Sequence, residues 1–191
     1  MTQDASSAGR SERKVVAAYF LSLDGVAEAA DQFIAGWDDE LDARGAELIA
    51  SQDTVILGRR TYDEWVGFWP GSDIEPFASF VNAAPKFVAT STPLAGEWAN
   101  SSVIEGDLAD FVKQLKAQPG GDIGIHGSIS VTQTLLAAGL VDELQLVIAP
   151  TIAPAAGKRK LFDNLPPVQL EAISGTTSPS GYILATYRVL H

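Results

Sequence analysis

Two short stretches of this chain carry groups suited to holding an anion. The first is Gly58-Arg59-Arg60-Thr61 and the second is Gly124-Ile125-His126-Gly127-Ser128-Ile129-Ser130. In each, an apolar run meets a glycine and a helix-forming run follows. A glycine there lets the backbone approach a ligand closely. The first N–H groups of the helix then offer donors and the positive end of a dipole. In the first stretch two guanidiniums stand at the turn, and arginine pairs bidentately with phosphate. In the second, the Ser128 and Ser130 hydroxyls add donors, or Ser128 simply caps the helix. Acting together, the two turns suit a pyrophosphate held from both sides. Neither is a P-loop, since no Gly-Lys-Ser/Thr follows, and neither has the glycine pattern of the Rossmann motif. An additional arginine suits a third phosphate, which is what separates NADPH from NADH. Thr90-Ser91-Thr92 either takes that 2′-phosphate or the adenosine ribose, or is an ordinary turn ahead of Pro93.

A second group of candidates stands apart from these turns. Asp24, in Ser22-Leu23-Asp24-Gly25, is a carboxylate able to bond a flat heterocycle or a ribose and to help deliver a proton. The plainer alternative is an Asp-Gly turn without catalytic duty. Ser22, Trp69 and Thr151 join it as candidate substrate contacts. The aromatics Trp37, Trp65, Phe68 and Trp69 either wall a flat-ring pocket or pack in a core or a dimer contact. Lys158-Arg159-Lys160 binds a substrate phosphate or is a solvated turn. His126 and His191 are too isolated to make a metal site, and no metal is expected.

The elements that position these residues alternate in type. Strands are expected at 15–22, 54–57, 86–89, 101–104, 122–125, 144–149, 168–174 and 182–189. Helices are expected at 38–50, 60–66, 107–117 and 128–138, with Asp38 or Asp39, Asp107 and Ser128 as caps. Such alternation means an α/β fold with a mixed, mostly parallel central sheet and helices on both faces. The last two strands add an antiparallel C-terminal edge. Ligands of such sheets sit at the C-terminal ends of the strands. The candidates follow those ends: after Ser22, Leu57, Ala89, Ile125 and Ala149.

Bulk composition narrows the function classes. The chain has 191 residues, enough for one domain of ordinary size, and 46% of them are hydrophobic against 19% charged. The formal net charge of −11 argues against a nucleic-acid partner, which needs a basic face. No apolar run reaches the roughly 18 residues of a membrane span. There are no cysteines, which fits a reducing cytoplasm and excludes disulfides and thiolate metal sites. Residues 1–13 are expected to be a flexible tail and residues 14–191 a single domain.

Several motifs together resemble the dihydrofolate-reductase-like superfamily. They are Leu57-Gly58-Arg59-Arg60-Thr61-Tyr62 with Trp69-Pro70, and His126-Gly127-Ser128 with Gln133-Thr134-Leu135-Leu136. Gly139-Leu140-Val141-Asp142-Glu143-Leu144, Gly157-Lys158-Arg159-Lys160-Leu161-Phe162 and Ser22-Leu23-Asp24-Gly25 complete the set. The chain most resembles the branch related to the C-terminal reductase domain of bacterial riboflavin biosynthesis, the RibD C-terminal domain family. The resemblance implies a three-layer fold, NADPH as hydride donor and a homodimer. It implies that Gly58, Arg59, Arg60 and Thr61 face the cofactor phosphates on one side and Gly124 to Ser130 on the other. Asp24 matches the family's substrate-side aspartate. The implied activity is hydride transfer to a small heterocyclic or ribosylamino-pyrimidine-like substrate, as in 5-amino-6-(5-phosphoribosylamino)uracil reductase. The alternatives are a non-catalytic nucleotide-binding homologue and, more weakly, a flavin-binding reductase. Two departures bear on this. The first helix has no clear match for the acidic residue that serves the pterin in dihydrofolate reductases. Ala153-Pro154-Ala155-Ala156-Gly157 also replaces the family's usual Leu-Gly loop.

Overall fold

The computed structural model describes residues 13–153 and 158–191. In chain order they form β1 (Val15–Leu21), α1 (Asp39–Ala50), β2 (Gln52–Gly58), α2 (Arg59–Trp65), α3 (Phe77–Ala83), β3 (Lys86–Ala89) and β4 (Ser101–Val103). Then come α4 (Leu108–Lys116), β5 (Asp122–His126), α5 (Ile129–Ala137), β6 (Glu143–Ile148), β7 (Gln169–Thr177) and β8 (Ile183–Leu190). Every strand and four of the five helices match the sequence expectation. The exception is α3. It opens behind Pro76, which has no side chain able to cap it, and it lacks the Ser, Thr, Asp or Asn that marks the start of α1, α4 and α5.

The eight strands form one sheet in the order β4-β3-β2-β5-β1-β6-β8-β7. Neighbours from β4 to β6 run parallel, and β8 is antiparallel to both β6 and β7. From β1 the chain steps through β2 and β3 to β4 at one edge, then returns to β5 and crosses to β6. Parallel crossovers share one handedness, so reversing direction moves the helices to the other face. The core follows that rule. Ile56, Ile123 and Ile125 pack with Val112 and Leu115 of α4 and Val131 and Leu135 of α5. Val55 and Leu57, pointing oppositely, pack with Tyr62 of α2 and Val81 of α3. Leu41 of α1 packs with Phe20 and Leu184. The result is three layers. It also explains why Thr54-Val55-Ile56-Leu57 is buried throughout: a strand covered on both faces needs apolar groups on both.

Of the expected tail, residues 1–12 lie outside the described part. Arg13 does not behave as a tail residue. Its buried guanidinium donates to the Gly121 carbonyl (2.6 Å) and Thr54 Oγ1 (2.8 Å) and pairs with Asp53. Burial of a charge requires such partners, and they tie Arg13 to the sheet. Residues 154–157 of the Ala153–Gly157 loop also lie outside the described part. Among the described residues no helix is long and apolar enough to cross a membrane.

Candidate functional site

The reversal of winding brings the C-terminal ends of β1, β2 and β5 together, where such sheets bind ligands. Gly58 lies beside Ala89 of β3, and Ile56 is in register with Ile125, so the turns after β2 and β5 are neighbours. They are joined by hydrogen bonds. The Gly58 N–H donates to Ser128 Oγ (2.8 Å), and Ser128 Oγ donates to Thr61 Oγ1 (3.0 Å). The Thr61 hydroxyl lies 3.4 Å from the Gly127 carbonyl. Ser128 and Thr61 are buried, and Ser128 makes no side-chain cap bond. The sequence offered the Ser128 hydroxyl either to a ligand or to a helix cap, and the resemblance implied that Gly58 and Thr61 face the cofactor phosphates. The structure spends them on one another. The first turns of α2 and α5 are thereby held side by side, and their N–H groups have no partners within the helices. Gly127 has φ +68°, so glycine is required there by backbone conformation. Gly58 has φ −84°, and its glycine is not required on that ground.

Arg59 is held firmly. Its Nε faces both carboxylate oxygens of Asp63 (2.8 and 2.6 Å), and Nη1 donates to the Pro93 carbonyl (2.8 Å) and to Thr92 Oγ1. Thr90 and Thr92 hydroxyls are 3.2 Å apart. The turn after β3 therefore converges on Arg59. Beside it opens a cleft of about 430 Å³ lined by Ala89, Thr90, Ser91, Ile104, Gly106 and Leu108. Arg60 is far more exposed and faces Glu28 Oε1 (3.3 Å).

Asp24 sits across the same edge, after β1. Ser22 N–H and carbonyl bonds close the Ser22–Gly25 turn, with Gly25 at φ +88°. The Ser22 hydroxyl is buried and donates to Asp24 Oδ1 (2.7 Å); the Ala153 N–H also donates to it (3.0 Å). Lys160 Nζ lies 3.9 Å from Oδ2. The Ser22 bond first, then the Ala153 bond, holds the Asp24 carboxyl below the usual range. Asp24 is thus an ionised acceptor at neutral pH. Ser22 orients Asp24 and is itself too buried to meet a substrate. The Thr151 carbonyl accepts from Leu23 N–H (2.8 Å), binding the loops after β1 and β6 together.

Other candidates lie elsewhere. Gly124 is inside β5, and a Cβ there would overlap Gln52 Oε1 and sit 2.7 Å from His126 Nε2. Its glycine makes room for the Gln52–His126 bond (2.8 Å). The His126 ring packs edge-on against Phe77 and Phe80, and burial pushes its pKa down to about 4. Ile125 and Ile129 are core side chains. Trp69 packs with Trp65, Phe68 and Phe77 in the α2–α3 layer. Strand alternation and helix phase turn these side chains from the strand ends, which the linear motif does not reveal. Ser130 stays exposed on the first turn of α5, where Arg159 Nη2 donates to its hydroxyl (2.9 Å). Sequence reasoning missed Asp63 and Glu28. Asp63 was legible as the residue four after Arg59 on a helix; Glu28 had no local signal. Among the described residues no group of three or more His, Cys, Asp or Glu is placed to hold a metal.

Comparison with known proteins accords with this architecture. The family model of the RibD C-terminal domain matches residues 13–184. YyaP of Bacillus subtilis strain 168, itself uncharacterised, is 25% identical over 181 residues, 92% of this chain and 95% of its own. A pyrimidine reductase-like protein of Corynebacterium diphtheriae is similar in structure, with TM-score 0.65 and 19% identity over 94% of this chain and 92% of its own. Dihydrofolate reductase of Enterococcus faecalis, solved with NADP(H), has TM-score 0.62 and 15% identity over 93% of this chain and 97% of its own.

Proposed function

Because the chain belongs to the RibD C-terminal domain family, whose fold is that of dihydrofolate reductase, we propose that it is an NADPH-dependent reductase of a small heterocyclic, ribosylamino-pyrimidine-like substrate. The family and its structural neighbours are reductase-like. The observation that carries the finer reading is the paired-turn arrangement. Ser128 ties the turn after β2 to the turn after β5, and Arg59 with Thr90 and Thr92 stands at the next strand end. That spacing offers two places for phosphate. The first turns of α2 and α5 would take the pyrophosphate, and Arg59 with the threonines would take the 2′-phosphate. The cleft beside Thr90 and Ser91 would take the adenosine.

NADPH, when bound, supplies the hydride. The residues of the chain fix its phosphates and orient the acceptor. Asp24, kept ionised by Ser22 and Ala153, would accept a hydrogen bond from a ring N–H or ribose hydroxyl. We read the protein as a cytoplasmic homodimer, a reading supported by the absence of cysteine and by the exposed Leu170, Ile173, Ile183 and Leu190 along β7 and β8.

The reading is tested by titrating NADPH and NADH and by following reduced-nicotinamide absorbance with candidate pyrimidines. Arg59→Gln should weaken NADPH about 10- to 100-fold, the worth of charged hydrogen bonds to phosphate, and leave NADH nearly unchanged. Equal losses would remove the 2′-phosphate role. NADPH binding without turnover of any pyrimidine would favour the non-catalytic alternative.

A further inference from the structure

Several cations of this acidic chain are paired with carboxylates, among them Arg59 with Asp63, Arg60 with Glu28 and Lys160 with Asp24. At the C-terminal end of the parallel strands stand Arg59, Arg60, Lys158, Arg159 and Lys160. The last three come from a segment far from the others in sequence. Their placement is fixed by backbone bonds. Val26 bridges Lys160, the Ala27 N–H donates to the Arg159 carbonyl (3.0 Å), and the Leu161 N–H donates to the Gly25 carbonyl (3.2 Å). Glu28 completes the arrangement. Its Oε2 accepts from the Arg159 N–H (3.2 Å) while Oε1 faces Arg60 Nη1 (3.3 Å). The Arg159 side chain is then delivered to Ser130, at the start of α5. Among the described residues the partner found for that guanidinium is a neutral hydroxyl, so its charge is not balanced by a carboxylate.

We propose that Arg159 is a cofactor-phosphate residue, reaching from the segment after β6 to grip the pyrophosphate opposite Arg60. The proposal rests on the reading of this edge as a dinucleotide site and adds a residue that the two glycine turns do not contain. A guanidinium is suited to this: its planar fork matches a phosphate, and its charge meets the ligand at the mouth of the two helices. Glu28 acts as the positioning residue, because one carboxylate fixes the backbone of Arg159 and the side chain of Arg60 together.

The pyrophosphate is common to both nicotinamide cofactors, which makes the test specific. NADPH and NADH are titrated calorimetrically into the wild type, Arg159→Gln and Arg59→Gln. Arg159→Gln should weaken both cofactors by the same factor, about tenfold for one charge-assisted bond at a partly exposed position. The dissociation constant of inorganic pyrophosphate, titrated alone, should rise in that variant by a similar factor. Arg159→Lys, which keeps the charge and loses the fork, should show an equal but smaller loss, and it carries the test if the glutamine variant folds poorly. Wild-type affinity for both cofactors in the folded variants would overturn the proposal. So would a loss confined to NADPH, or unchanged cofactor binding with weakened binding of a phosphorylated pyrimidine. A wild type that binds neither nucleotide overturns the cofactor reading itself, and this proposal with it.

Discussion

Ser128→Ala separates two roles for one hydroxyl. In the structure Ser128 Oγ accepts from the Gly58 N–H at 2.8 Å and donates to Thr61 Oγ1 at 3.0 Å. Ser128 is only 3% exposed, so water cannot readily replace it. Alanine removes both bonds and leaves almost no cavity. Each internal hydrogen bond contributes about 0.5–1.5 kcal/mol, and the stranded Gly58 N–H adds cost. The expected loss is therefore about 1–3 kcal/mol. For a chain of this size that is a fall in Tm of roughly 2–12 °C, at 2–4 °C per kcal/mol. Urea unfolding and thermal melts of the unliganded protein measure it directly. NADPH affinity should fall too, but only as far as the two helix starts drift apart, about severalfold. A variant with wild-type stability and a NADPH loss greater than tenfold would refute the reasoning, because the hydroxyl would then be a ligand contact and not a clamp between turns.

Two further perturbations probe the neighbouring core. Gly124→Ala should cost about 2–4 kcal/mol, from overpacking and loss of the Gln52–His126 bond, since the new Cβ would meet Gln52 Oε1. Urea midpoints check this, and an unchanged midpoint with weaker NADPH binding would restore a cofactor role for Gly124. His126 has a folded pKa near 4 against an ordinary value of 6.5, because burial disfavours its charge. Between those values the unfolded chain binds a proton that the folded one refuses. The contribution is fully present above about pH 6.5 and is lost as pH falls toward 4. Stability measured from pH 7 to pH 4 should thus decline more steeply in wild type than in His126→Phe. Parallel curves for the two would show that His126 does not titrate in this way.

The elements were legible because their signals are local. β2 is a short apolar run ended by glycine, α4 is capped by Asp107, which accepts from the Asp110 N–H, and α1 is capped by Asp38. α3 was not legible: Phe77–Ala83 carries no side-chain cap and packs Val81 and Phe80 with Val55, Leu57 and Val88 of the sheet. At the site, the arginine pair and the paired glycine turns could be read as anion-binding chemistry. The direction of each side chain could not. His126 and Gly127 are adjacent in sequence, yet one ring lies buried among Phe77 and Phe80 while the other residue makes the turn at the strand end.

By itself the sequence determined the alternation of strand and helix, the family, and which residue types stand at the strand ends. Those depend on neighbours a few positions away, through hydrophobic period, capping and turn chemistry. Tertiary structure alone decided that Ser128 clamps Gly58 and Thr61, that Gly124 makes room for Gln52, and that Arg159, beside the Lys160–Val26 bridge, reaches Ser130. These pairings join residues tens of positions apart. They exist because the winding reverses at β5 and because β1, β2, β5 and β6 stand in one register. That order is settled by burial of both sheet faces, and no local run of residues encodes it.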